Sequence, residues 1–192
     1  THGNNNNIIG LSLTLSRLDP TYKYCILELG INNVGEMEEL TKLALPNIAL
    51  ITNITNSHIQ NFKNEKEIAY AKSKIFLGLK KNGTVILNSD NIWAEFLIKK
   101  AKEKNATIHL FGHSEKSDTN ITKITHENEG TRIDFDNKKG WHLNYLNTTQ
   151  ALNAIATIAV IKELSLDLEN TFRIISKIKP LTGRGNKITI NF

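Results

Sequence analysis

The chain has 192 residues, 40% of them hydrophobic, and a formal net charge of +5. A chain of this length and hydrophobic content can bury one substantial core or two small ones, and this composition is not that of a disordered protein. Its charges are scattered singly, no apolar stretch approaches the roughly twenty residues of a membrane span, and no signal peptide is visible. The single cysteine, Cys25, lies in an apolar run and is expected to be buried, so no disulfide scaffold forms. We therefore expect a cytoplasmic protein with neither a nucleic-acid partner nor a membrane span.

The first segment of the chain places four asparagines, Asn4 to Asn7, between Gly3 and Gly10. Asparagine tolerates left-handed backbone and carries both an amide donor and an acceptor. This pattern is typical of a polar turn beside a ligand. The alternative is a flexible terminus rich in asparagine.

Short apolar runs then alternate with segments of helical periodicity, which favours a mostly parallel sheet built by right-handed crossovers. The predicted strands are 24–29, 47–52, 83–88 and 106–111, and the predicted helices are 37–45, 65–79, 92–104, 148–164 and 168–178. The alternating pattern in 118–144 predicts a small antiparallel ribbon, and another strand is expected in the final segment. We expect one α/β domain with flanking helices, cut at both ends.

Polar residues gather where the predicted strands end, and open parallel sheets bind ligands at that edge. Glu28 ends the first strand, Asn53 and His58 follow the second, and Asn88 and Asp90 follow the third. Their oxygen and imidazole groups would suit Mg²⁺. Each also has an ordinary explanation: Glu28 as a helix-capping carboxylate, His58 as a loop histidine, and the others as turn and cap residues.

Three further residues have both a functional and a structural interpretation. Lys72 falls on the apolar stripe of the 65–79 helix, where its amine either extends past the packed stem into water or serves a buried site, as a cation or as a carbamate. Arg184, between two glycines, can clamp a phosphate or lie in a surface turn. Asn153 is a polar residue on an otherwise apolar helix, and helix-surface exposure is its default interpretation.

Five stretches in a fixed order carry a resemblance to a known family: GNNNNIIG (3–10), ELGINNVGEMEEL (28–40), ITNITNSHI (51–59), AYAKSKIF (69–76) and ILNSDN (86–91). They match the patterns GNxNNxIG, ELGxNxxGEIxxL, ITNIxxAHL, AxAKxEI and xxNxDD of the central ATPase domain of the Mur ligases. Within that family the chain is most similar to the branch that joins D-alanyl-D-alanine to UDP-N-acetylmuramoyl-tripeptide in peptidoglycan synthesis. Several ordered matches are far more specific than one.

The resemblance implies ATP and Mg²⁺ as cofactors, and an ADP-forming ligation through an acyl phosphate. It places catalytic roles on Lys72, which is often carbamylated in these ligases, and on Glu28 and His58, which would hold the magnesium. The nucleotide-side residues it implies are Asn88, Asn153 and Arg184, and the substrate-side residues are Asn6, Asn7 and Asn32.

Two departures from the family pattern stand out. The GxHNxxN stretch is NTTQALN here, with Thr149 and Gln150 in place of His and Asn, and no G-x-x-x-x-G-K-[ST] phosphate loop is present. The resemblance places that loop, and a UDP-binding domain, before Thr1, and a further domain after Phe192. We therefore expect a central ATP-binding domain that is inactive alone. The alternatives are another Mur ligase, a folylpolyglutamate synthetase relative, and a non-catalytic α/β binding module.

Overall fold

The computed structural model describes residues 6–55, 61–128, 130–144 and 147–178. Within these residues the chain forms six strands, six α-helices and one 3₁₀ helix. The strands are β1 (Ile48–Ile51), β2 (Thr84–Asn88), β3 (Thr107–Gly112), β4 (Thr119–Glu127), β5 (Gly130–Phe135) and β6 (Lys138–Leu143). The helices are α1 (Ile8–Ser16), α2 (Glu36–Ala44), α3 (Glu65–Ser73) with its 3₁₀ continuation Lys74–Gly78, α4 (Ala94–Lys102), α5 (Thr148–Glu163) and α6 (Leu168–Ile175).

The strands form one mixed sheet in the order β1-β2-β3-β4-β5-β6. The Thr84 amide at the start of β2 donates to the carbonyl of Asn47, just before β1, and the Thr107 amide at the start of β3 donates to the carbonyl of Gly83, just before β2. Ser89, just after β2, bonds to Phe111 near the end of β3, so the first three strands are parallel. β4 is parallel to β3, whereas β4, β5 and β6 pair antiparallel. The predicted parallel sheet and its antiparallel ribbon are therefore both confirmed.

The described residues divide into two compact units. The first contains those up to Val85 together with Asn91–Ile108, and the second contains Ile86–Asp90 and those from His109 onward. Each unit has its own fully or nearly fully buried apolar residues. These include Leu11, Leu40, Ile68, Phe76 and Leu97 in the first unit, and Phe111, Ile133, Phe135, Leu143 and Ile155 in the second.

Helix boundaries follow from local side-chain chemistry. The Asn64 side chain accepts a hydrogen bond from the Glu67 amide at 3.0 Å and begins α3, and Asn147 does the same for Gln150 at 2.8 Å at the start of α5. Such caps satisfy amide groups that have no partner inside the helix. α2 instead begins at Gly35, whose φ of 99° favours glycine. Among the described residues, no helix has the length and apolar character needed to cross a membrane.

In the second unit, α6 packs on the antiparallel ribbon through aromatic rings. The ring centroids of Trp141 and Phe172 lie 5.0 Å apart, and those of Phe135 and Phe172 lie 5.6 Å apart. The indole N–H of Trp141 donates to Ser176 Oγ at 2.9 Å, so the polar end of the ring is also satisfied. This cluster explains why the ribbon has one buried face.

The predicted strand at 24–29 is wrong. The segment forms no strand, Ile26 is 86% exposed, and Glu28 is exposed. Cys25, which was expected to be buried, is exposed as well. An apolar run favours burial only where other elements cover it, and the run itself does not encode those elements. The strand predicted near the end of the chain lies outside the described residues.

Candidate functional site

The asparagine segment at the start of the described chain contacts the segment that carries Glu28. The Asn6 side-chain amide donates to Glu28 Oε1 at 3.2 Å, and the Gly30 amide donates to the Asn6 carbonyl at 2.9 Å. A Cβ on Gly30 would lie only 2.5–2.8 Å from the Asn6 side chain, so glycine is needed for this approach. The two predicted residues Asn6 and Glu28 are therefore brought together, with the carboxylate exposed.

Asn7, the next residue, begins α1. Its Oδ1 accepts a hydrogen bond from the Gly10 amide at 3.0 Å, and its extended backbone is typical of an N-cap residue. The structure thus gives the asparagines at 6 and 7 two different local roles. Asn6 anchors the Glu28 segment, and Asn7 orients the first helix. Asn4 and Asn5 lie outside the described residues.

Asn32 and Asn33 lie between the Glu28 segment and α2, and Glu36 in the first turn of that helix holds them. Glu36 accepts hydrogen bonds from the Asn32 amide and from the Asn33 side chain, both at 2.7 Å. The bond from the Asn32 amide is the main cause that lowers the pKa of Glu36 below its usual value, although burial opposes it. An ionised Glu36 therefore orders the loop that contains Asn32.

Lys72 lies on α3 among buried residues of the first unit, including Ile68 and Phe76. Burial lowers the pKa of its amine, and no neighbouring charge contributes to that shift. The next lysine along, Lys74, differs because it pairs with Glu38 at 3.3 Å and lies 4.4 Å from the centroid of the Tyr70 ring. Lys72 is thus partly buried, in keeping with its predicted place on the apolar stripe, and it has no ion pair with a described residue.

The loop that follows β1 is fixed by a residue that follows β2. The Asn91 side-chain amide donates to Asn53 Oδ1 and to the Ile54 carbonyl, the latter at 3.0 Å. Its own Oδ1 accepts from the Trp93 amide at 2.9 Å, just before α4. Asn53 is therefore engaged in holding the segment that directly follows β1. His58 lies outside the described residues.

Asn88 and Asp90 follow β2 in the second unit. Asn88 is buried, and its Oδ1 accepts from the Asp90 amide at 2.9 Å, which is ordinary turn chemistry. Asp90 binds His113, with 2.8 Å between the carboxylate and the ring Nδ1. His113 was not among the predicted site residues, although it lies two residues after the predicted strand 106–111, and the same strand-end rule would have included it.

The remaining predicted residues do not join a described cluster. Asn153 is exposed on α5, with its side chain accessible, and Arg184 lies outside the described residues. Within residues 6–55, 61–128, 130–144 and 147–178, no group of three His, Cys, Asp or Glu side chains is arranged to hold a metal ion. In the first unit, the described site is an exposed carboxylate with amide groups around it, which can offer oxygen ligands to a hard cation or hydrogen bonds to a polar ligand.

Comparison with known proteins identifies relatives that match over nearly the whole chain. One is the UDP-N-acetylmuramoyl-tripeptide--D-alanyl-D-alanine ligase of Buchnera aphidicola subsp. Baizongia pistaciae, with 40% identity over 177 residues, 88% of this chain and 37% of the relative. The protein of the same name from Rickettsia prowazekii is 32% identical over 196 residues, 99% of this chain and 43% of the relative. This chain thus spans less than half the length of these two relatives.

The fold has a close counterpart among solved structures. A crystal structure of MurF from Acinetobacter baumannii superposes with a TM-score of 0.90 at 26% identity, covering 99% of this chain and 42% of that one. A family model described as the Mur ligase middle domain matches residues 1–161. Because that match extends over most of the chain, the chain belongs to the Mur ligase middle domain family.

Proposed function

We propose that the complete protein containing this chain is a cytoplasmic, ATP-dependent and ADP-forming ligase that joins D-alanyl-D-alanine to UDP-N-acetylmuramoyl-tripeptide in peptidoglycan synthesis. The observation that carries this proposal is the 40% identity, over 88% of the chain, to a relative with that name. In this proposal the chain contributes the central ATP-binding domain, and the protein phosphorylates a carboxylate before an amine attacks the acyl phosphate.

Glu28 is proposed to hold Mg²⁺ together with His58. The exposed carboxylate of Glu28 and the amide group of Asn6 beside it fit a hard cation that prefers oxygen ligands. Magnesium bound by proteins usually keeps several waters and takes only one or two carboxylates, so a small set of protein ligands is enough. When bound, the ion would neutralise negative charge on the phosphates. The role of Asn6 is to fix the position of the Glu28 carboxylate.

Lys72 is proposed as the third catalytic residue. Its partly buried amine has a lowered pKa and has no ion pair with a described residue, so the uncharged form that carbamylation requires is more accessible than in an exposed lysine. The proposal therefore gives a role to an amine whose burial otherwise only costs stability.

Nucleotide binding is proposed to involve Asn88, Asn153 and Arg184. The exposed side chain of Asn153 on α5 is available to a ligand, whereas the buried Asn88 acts by shaping the turn after β2. On the substrate side we propose Asn6, Asn7 and Asn32, which lie in the two ordered segments that surround Glu28. Holding both reactants in place lowers the entropic part of the barrier, which is how such a site accelerates acyl transfer.

The test is a phosphate-release assay on the complete protein with ATP, UDP-N-acetylmuramoyl-tripeptide and D-alanyl-D-alanine, each omitted in turn. We expect release only when all three are present, and Glu28→Gln is expected to lower kcat by about 100-fold or more. Glu103→Gln is the matched control, because Glu103 pairs with Lys100 at 2.8 Å on the surface of α4 and is expected to have no effect.

Two results would contradict the proposal. A wild-type protein that releases no phosphate with all three substrates would favour a non-catalytic binding module. A Glu28→Gln variant with wild-type kcat would remove Glu28 from the catalytic site, even if the ligase activity itself were present.

A further inference from the structure

His113 lies at the edge of the sheet where parallel strands bind ligands. It directly follows β3, and β3 is parallel to both β2 and β4, so the carboxyl ends of three strands share this edge. In open parallel sheets, ligand sites lie outside those ends. His113 is the first residue beyond the strand, a position from which a side chain can reach a ligand.

Asp90 holds the imidazole of His113 in one tautomer. The carboxylate accepts the His113 backbone amide at 2.8 and 3.0 Å and lies 2.8 Å from the ring Nδ1. Because an ionised carboxylate only accepts hydrogen bonds, Nδ1 must carry the hydrogen. In the neutral ring, Nε2 is then left as a hydrogen-bond acceptor.

The backbone around His113 is built to keep this arrangement. Gly112 has a φ of 141°, and a Cβ there would collide with Ser89 Oγ and lie 2.8 Å from the Asp90 carboxylate oxygens. Ser89 Oγ lies 2.8 Å from Ser117 Oγ, which joins the far end of the segment 112–118 to the turn after β2. Asn120 donates to the Ser114 carbonyl at 2.7 Å. The imidazole is therefore fixed before any ligand arrives, which lowers the entropic cost of binding.

The free side of the ring is accessible. The side chain of His113 is 48% exposed, and Nε2 has no hydrogen-bond partner among the described residues. An Asp–His pair that only fastened a loop would need Nδ1 and the backbone amide, but not an exposed Nε2. An oriented imidazole with one unused nitrogen is the usual arrangement of a ligand-binding histidine.

The geometry points to His113 as a ligand-binding residue whose Nε2 accepts a hydrogen bond from a sugar hydroxyl of a nucleotide substrate. This inference rests on the proposed function, which supplies two such substrates, ATP and the UDP-linked one. The Asp90 carboxylate beside the ring repels the negative charge of a phosphate, and an Nε2 that accepts a hydrogen bond requires a donor such as a hydroxyl group. The loop 112–118 has no Phe, Tyr or Trp on which a base could stack, so the sugar is the part of the nucleotide that fits.

The test uses two variants of the complete protein. In His113→Asn the side-chain amide can still donate to Asp90 in place of Nδ1, but nothing replaces Nε2. We expect the variant to keep the wild-type thermal midpoint and kcat, while KM for one nucleotide substrate rises roughly two- to tenfold, the effect of one neutral hydrogen bond. In His113→Gln the side-chain oxygen can replace Nε2, so we expect a smaller rise in KM.

The source of the sugar is identified by measuring KM for ATP and for the UDP-linked substrate separately. If ATP supplies the hydroxyl, the wild-type protein binds 2′-deoxy-ATP or 3′-deoxy-ATP more weakly than it binds ATP. The His113→Asn variant then binds that deoxy analogue no more weakly than the wild type does. If only KM for the UDP-linked substrate rises, that substrate supplies it. Wild-type KM values for both substrates in His113→Asn would overturn the inference and leave the proposed function intact. A wild-type protein without ligase turnover would overturn both.

Discussion

Replacing Gly30 with alanine is expected to separate Asn6 from Glu28. The new Cβ would lie 2.5 Å from Asn6 Nδ2 and 2.6 Å from its Cγ, so the side chain must withdraw by about 0.9 Å to reach ordinary contact. Withdrawal breaks the 3.2 Å bond to the exposed Glu28 carboxylate, which contributes about 0.5–1 kcal/mol, and crowding adds about 1 kcal/mol more. We therefore expect a local destabilisation of about 1.5–2 kcal/mol and a lower kcat.

Hydrogen exchange of the Gly30 amide in the complete protein measures this local effect, because that amide donates to the Asn6 carbonyl at 2.9 Å. Exchange should be about 10- to 30-fold faster in Gly30→Ala than in the wild type, as a local destabilisation of about 1.5–2 kcal/mol implies. Asn6→Ala removes the obstructing side chain. In that background, adding Gly30→Ala should speed the exchange of the residue 30 amide only slightly. If the two substitutions were simply additive, the clash with the Asn6 side chain would not be the cause, and the reasoning would be refuted.

Three further predictions concern stability, measured by urea unfolding of the complete protein. Gly78→Ala should lower the free energy of unfolding by about 3 kcal/mol, because a Cβ there falls on the carbonyl and hydroxyl of the buried Thr41. Lys72→Met should raise it at neutral pH by on the order of 1 kcal/mol while abolishing ligase activity, because burial lowers the pKa of this amine and thus disfavours its charged form. In His109→Gln, the free energy of unfolding should fall less on acidification than it does in the wild type. Burial lowers the pKa of His109 below 6.5, so the unfolded chain takes up the proton first and stability falls as the pH drops through 6.5.

The substitutions at Gly78 and Lys72 have matched controls, and each of the three predictions has a result that would contradict it. Gly35→Ala meets no atom within 4 Å and should cost only about 1 kcal/mol, from its φ of 99°. If Gly78→Ala and Gly35→Ala lowered the free energy of unfolding equally, the clash with Thr41 would not be the cause. Lys42→Met, on the exposed side of α2, should not raise the free energy of unfolding. A Lys72→Met protein that is less stable than the wild type would contradict the explanation by burial. An unchanged acid response in His109→Gln would assign that response to other groups.

Much of the fold was predictable because its elements carry strong periodic signals. The helix predicted at 148–164 is α5 to within one residue, and β2 begins one residue after its predicted start, with all its residues buried. Two features were not predicted, for physical reasons. α1 is apolar on nearly every side, so it has no amphipathic pattern to reveal it, and the helix predicted over 65–79 changes to 3₁₀ geometry at Lys74. Neither feature leaves a trace in the spacing of apolar residues.

The candidate site was predictable by position but not by contact. The strand-end rule selected Glu28, Asn53 and Asp90, yet the partner of each is a residue distant in sequence: Asn6, Asn91 and His113. Such pairs depend on tertiary geometry, which no local pattern contains. The functional roles of the predicted residues, including His58 and Arg184, stay predictions.

The exposure of Cys25 gives the Glu28 segment a built-in chemical probe. Its thiol is three residues from Glu28, and it is the one cysteine of the 192 residues. The rate at which a small alkylating reagent modifies this thiol depends on how freely the surrounding backbone exposes it. Alkylation followed by mass spectrometry of the peptide can therefore report whether nucleotide or peptide substrates order this segment, without a substitution in the segment itself.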